Sequence, residues 1–122
     1  MKLHLTQAEG KQLIKSYQSG AITINQLTFN ASLIVTPDVV IEHWQVIDFN
    51  DLSNEHFAKI AALNPELVLL GTGSEHRFVH PKLVSALTEI NVSVECMTTD
   101  AACRTYNILM SEGRFVVAAL II

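Results

Sequence analysis

From Pro65 onward the chain alternates between nearly unbroken apolar runs and segments of helical period, and few folds accommodate that alternation. Leu67-Val-Leu-Leu70 is a continuous apolar strand of the kind buried on both faces of a parallel sheet. Val92-Ser-Val-Glu-Cys96 and Phe115-Val-Val-Ala-Ala-Leu-Ile-Ile122 read as the next two strands. Pro81 suits the first position of a helix to about residue 90, with Leu83, Val84 and Leu87 facing inwards. A second helix spans about 100–112, capped by the hydroxyls of Thr98 and Thr99 or by Asp100, and stopped by Gly113. Strand, helix, strand, helix, strand predicts an α/β fold with a parallel core.

The first half differs in character. A short strand is expected at 2–5. Residues 14–18, 21–24 and 27–29 then read as strands joined by turns at Ser19-Gly20 and Asn25-Gln26. Further strands at 32–36, closed by Pro37, and at 39–42 complete an antiparallel meander over 1–52. Ser53-Asn54 opens a helix over about 54–63 with Phe57, Ile60, Ala61 and Leu63 inwards, ended by Asn64-Pro65. Neither half is large enough to stand alone, so 1–122 is expected to be one domain. It would be an α/β fold with an N-terminal antiparallel layer.

Composition narrows the function. Hydrophobic residues make up 49% of the 122 and charged residues 16%, which suffices for a packed core. The net charge of −4 argues against nonspecific nucleic-acid binding, which needs a basic footprint. No run is long and apolar enough for a transmembrane helix. The opening Met1–Gly10 has neither an apolar signal core nor an Arg-rich presequence, which predicts a cytoplasmic protein. Cys96 and Cys103 lie seven apart, which is neither a zinc spacing nor a disulfide framework.

Two polar loops follow parallel strands: Gly71-Thr72-Gly73 and Thr98-Thr99-Asp100. Ligands of open α/β sheets sit outside the carboxyl ends of such strands. If the strands are neighbours, these loops and Arg104 line one crevice suited to a small anion. Arg104 is unusual in the first turns of a helix, where the dipole disfavours a cation. The plainer account is an ion pair with Asp100 one turn earlier. Asn107 shares a face with Arg104, and Tyr106 reads as a core ring with its hydroxyl at the rim.

Other chemistry finds little support. Gly71-Thr-Gly73 lacks the third glycine of a dinucleotide fingerprint and has no Lys-Ser/Thr of a phosphate loop. Glu75, His76 and His80 lie in a loop with no second cluster to complete a metal site, and no cofactor is expected. Cys103 sits in the first turn of its helix beside Arg104, and both features lower a thiol pKa. A thiolate nucleophile would draw its base only from His76 or His80. The competing account of Cys103 is a small core hydrophobe.

Pro65-Glu-Leu-Val-Leu-Leu-Gly-Thr-Gly73 together with Cys103-Arg-Thr-Tyr-Asn-Ile-Leu-Met-Ser-Glu-Gly-Arg114 resembles a domain-of-unknown-function family. That family includes mitochondrial NADH dehydrogenase (complex I) assembly factor 3 and the adipogenesis-associated domain protein of animals. The resemblance extends more loosely to Tyr17-Gln-Ser-Gly20, Ile24-Asn25, Val35-Thr-Pro37 and Trp44. It implies a single-domain three-layer α/β fold, with a mixed central sheet flanked by helices and an extra N-terminal antiparallel hairpin layer. For the mitochondrial branch it implies a role in assembling complex I, in association with the inner membrane and another assembly factor. The family carries no established catalytic residues. Gly71, Thr72, Gly73, Arg104, Thr105, Tyr106 and Asn107 match its motif as sequence only, and the chain looks like a bacterial member.

Two functions are therefore expected to compete. One is a non-enzymatic interaction module with protein partners, resembling respiratory complex I assembly factors. The other is a small-anion-binding protein or enzyme using Gly71, Thr72, Gly73, Thr98, Thr99 and Arg104, with Tyr106 and Asn107 beside them. A homo-oligomer through the exposed edge of the antiparallel half is a third, structural option.

Overall fold

The computed structural model describes residues 10–122. The strand expected at 2–5 lies outside them. Three short strands come first: β1 (Ile14–Gln18), β2 (Ala21–Ile24) and β3 (Leu27–Phe29). They form an antiparallel sheet in the order β1-β2-β3. Asn25 takes a left-handed φ of 53° in the second turn, a conformation asparagine tolerates.

The next two strands, β4 (Leu33–Val35) and β5 (Val40–Ile41), leave this sheet. The expected single meander is thus divided, because β4 pairs antiparallel with the last strand, β8 (Val116–Ile121). Leu33, Ile34 and Val35 are all buried, so this strand needs cover on both faces, which only the interior of the larger sheet supplies.

A 3₁₀ turn at Phe49–Asp51 leads into α1 (Asn54–Ala61). Its Phe57 and Ile60 are fully buried. Then come β6 (Leu67–Thr72), a 3₁₀ turn at Pro81–Val84 running into α2 (Ser85–Thr88), β7 (Val94–Met97), α3 (Thr99–Ser111) and β8. The helix expected over 81–90 is thus one 3₁₀ turn and one α-helical turn. Val84, Ser85 and Thr88 are mediocre helix formers, and the Thr88 hydroxyl donates to the Val84 carbonyl at 3.3 Å. Asn91, at φ 60°, then reverses the chain.

The large sheet has the order β5-β4-β8-β6-β7. β6 runs parallel to both β7 and β8. The apolar run of β8 has a simple cause. Val116, Ala118 and Leu120 pack with α3 and the small sheet, while Val117, Ala119 and Ile121 pack with Phe57, Ile60 and Leu87. The layers are the small sheet with α3, the five-stranded sheet, and α1 with α2.

Candidate functional site

The Gly71–Gly73 and Thr98–Thr99 loops emerge side by side, since β6 and β7 are neighbours with Gly71 opposite Met97. They are bonded to each other. The Thr99 N–H donates to the Gly73 carbonyl at 2.9 Å, and the Gly73 N–H donates to Thr99 Oγ1 at 2.8 Å. Thr99 Oγ1 donates in turn to the Ile121 carbonyl at 2.5 Å. One fully buried hydroxyl therefore joins the ends of β6 and β8 to the start of α3. Gly71 is required for this approach: a Cβ there would stand 2.9 Å from Thr99 Oγ1 and 3.0 Å from Thr99 Cα.

The crevice at this end of the sheet lies to the other side of β6, towards β8. It has a volume of about 350 Å³ and is lined by Thr72 and Gly73, the Ile121 end of β8, the 47–50 turn, and Tyr17 of the small sheet. Its cation is Arg77, whose guanidinium lies over the Phe49 ring, 5.5 Å from the centroid. Thr72 Oγ1 donates to the Glu75 carbonyl at 2.6 Å and accepts from the Arg77 N–H at 3.3 Å, which folds the loop back on the strand end. Asp48 and Glu75 also line the cleft, which therefore carries two carboxylates and a guanidinium. Burial, with the nearby Cys103 and Asp100, raises the Tyr17 phenol pKa, so this ring enters the cleft as a neutral hydroxyl.

Of the residues singled out in sequence, Thr72 and Gly73 line this cleft. Gly71 and Thr99 are buried beneath it in the loop junction. Thr98 caps α3, its Oγ1 accepting from the Ala101 N–H. Arg104 is exposed and pairs with Asp100 at 2.5 Å, as its spacing suggested. Tyr106 is fully buried and donates its hydroxyl to the Gln12 carbonyl at 2.6 Å. The Asn107 amide binds the main chain of Ile14 twice, accepting from its N–H at 3.0 Å and donating to its carbonyl at 2.6 Å. Asn107 thereby acts as a short extra strand on the outer edge of β1, at the bulge between Ile14 and Ser16. Tyr106 and Asn107 rivet the small sheet to α3.

Of the two accounts of Cys103, the structure fits the small core hydrophobe. The helix start and Arg104 lower a thiol pKa, but Cys103 is buried, and burial with the Asp100 carboxylate pushes it up to about 12. Desolvation outweighs the helix terminus, and the thiol stays protonated at neutral pH. Arg77 was missed although it lies four residues after Gly73, and Glu75 was weighed only as a metal ligand. Tyr17 and Asp48 come from distant segments and carried no local signal.

Residues 14–121 match the family described as protein of unknown function (DUF498/DUF598). The chain belongs to that family. A Francisella tularensis protein named 13 kDa major membrane protein is 30% identical over 99% of both chains. NADH dehydrogenase (ubiquinone) 1 alpha subcomplex assembly factor 3 of Mus musculus is 34% identical over 98% of this chain, which spans 66% of the mouse protein. Among solved structures, a protein from Bordetella parapertussis is 38% identical with a TM-score of 0.86, over 93% of this chain and 97% of that one. Among the described residues, no helix is long and apolar enough to cross a membrane.

Proposed function

We propose that this family member is a non-enzymatic interaction module that helps to assemble a respiratory NADH dehydrogenase. The observation that carries the reading is the alignment with the mouse assembly factor, which runs through 98% of this chain and so includes every layer of the fold. Two features of the polar stretch support it. The groups there that could act as nucleophile or acid are withheld from chemistry: Cys103 is held as a thiol, and the buried Tyr106 phenol is raised well above its ordinary pKa. Asn107 is committed to the main chain of Ile14.

The test is capture of partners by the tagged full chain from gently solubilised membranes and from cytosol of respiring cells, with an Arg104→Ala variant alongside. NADH dehydrogenase subunits or their assembly intermediates should co-purify with both forms, because Arg104 is an exposed ion-pair partner. A chain that emerges alone from both fractions counts against the reading.

A further inference from the structure

Among the described residues, β7 is an edge strand of the five-stranded sheet, and β6 beside it fixes its hydrogen-bonding directions. The Val68 N–H donates to the Ser93 carbonyl at 3.0 Å. In a parallel ladder with Val68 opposite Val94, that bond turns the main-chain groups of Glu95 inwards too. The N–H and C=O groups of Val94 and Cys96 therefore point away from β6. Among the described residues, none of these four groups has a hydrogen-bond partner. A groove of about 640 Å³ runs beside this edge, between β7 and the segment starting at Phe78. Phe78 is 78% exposed on its rim, and Val84 contributes an apolar wall. A cleft of this size is in the range that holds ligands. Among the described residues that line it, Glu95 is the one with a charged side chain.

We infer that the outer edge of β7 is a strand-addition site, which takes an extended segment of a partner protein with apolar side chains towards the groove and a basic side chain beside Glu95. The inference rests on the interaction-module reading and supplies its docking chemistry. Two unpaired donors and two unpaired acceptors at strand spacing select a main chain, and apolar walls select alternate side chains. The carboxylate selects the charge. A second copy of this chain is a poorer occupant. The antiparallel register that uses both Val94 and Cys96 on both copies pairs Val94 with Cys96 and sets Glu95 against itself, and like charges directly opposite destabilise a strand pair.

The probe is a short acetylated and amidated peptide of alternating valine and lysine. Its control is the same peptide N-methylated along the edge that would pair. Binding is read by amide resonances and hydrogen exchange on the full chain. Saturable shifts across β7 with slowed exchange at the Val94 and Cys96 amides are expected, and they should vanish with the methylated peptide. Glu95→Lys should weaken the peptide by about tenfold, the loss of one charge-assisted contact. Cys96→Pro removes an outward N–H while leaving the β6 ladder intact and should abolish binding. If that variant fails to fold, Glu95→Lys still decides the matter. No saturable change at Val94 and Cys96 overturns the inference, as does equal binding of the methylated peptide or a stable dimer through β7. Subunit capture that persists undiminished in Cys96→Pro would overturn this edge while leaving the assembly reading in place. Absence of capture by wild type would overturn that reading whatever the peptide does.

Discussion

Asn107→Ala tests the claim that the polar stretch of α3 exists to hold the small sheet. The substitution removes both hydrogen bonds to Ile14, at 3.0 and 2.6 Å, and leaves an N–H and a carbonyl of a half-buried segment without partners. A typical intramolecular hydrogen bond contributes about 1 kcal/mol net, and an orphaned buried group costs about 1–3 kcal/mol. Water can reach part of this edge, so the loss should be about 2–4 kcal/mol rather than the full sum. A chain of this length has an unfolding entropy near 0.25 kcal/mol/K, so the midpoint should fall by roughly 8–16 °C. Calorimetry would read that fall. Hydrogen exchange would localise it, with faster exchange in β1 and β2 and slower response in β6 and β8. Tyr106→Phe, which removes one bond to the Gln12 carbonyl, should cost less, about 1 kcal/mol. A loss below about 0.5 kcal/mol for Asn107→Ala, within the range of ordinary surface substitutions, would refute the reasoning.

The geometry also fixes the outcome at other positions. Gly71→Ala should destabilise by about 1–3 kcal/mol in a denaturant titration, because its Cβ would meet the Thr99 backbone and side chain, whose positions are fixed by bonds to Gly73 and Ile121. Cys103 should remain unmodified by a thiol reagent in the native protein under conditions that label it in denaturant. The Cys103 thiol is raised from 9.0 to about 12, so the stability it contributes is present below 9.0 and is lost as the pH rises through about 12. Stability should therefore fall across that alkaline window, and less steeply in Cys103→Ala. Arg104→Ala should change stability by less than about 1 kcal/mol, since both partners of its ion pair are more than half exposed. A thermal-shift screen with phosphates and carboxylates on wild type, Arg104→Ala and Arg77→Ala would locate any anion: a response lost only in Arg77→Ala places it in the cleft beside Thr72 and Gly73.

The elements that could be read from sequence are those whose cause is local. The turns at Ser19-Gly20 and Asn25-Gln26 set β1, β2 and β3 residue by residue, and the apolar runs of β6 and β8 declared a sheet covered on both sides. The α3 helix was bounded to within a residue or so by its Thr98 cap and by Gly113, which takes φ 83°. What could not be read depends on distant partners. β4 looks like the end of a meander until β8, over eighty residues later, offers it a place. Tyr106 and Asn107 look like site residues because their polar atoms have no nearby use. Their partners at Gln12 and Ile14 are 94 and 93 positions away. The burial of Cys103 was one of the two readings its sequence allowed. Arg104 and Arg77 make the contrast plain. Arg104 was prominent for its position in a helix, whereas Arg77, an ordinary loop residue, lines the cleft.

A role in assembly is decided by removing this chain from the cells that produce it and resolving their membrane complexes on a native gel with an in-gel NADH oxidation stain. The assembled NADH dehydrogenase band should fall and smaller subassemblies accumulate, and wild type and Arg104→Ala should both restore the band. An undiminished band in cells without the chain, with no subassemblies, would contradict it.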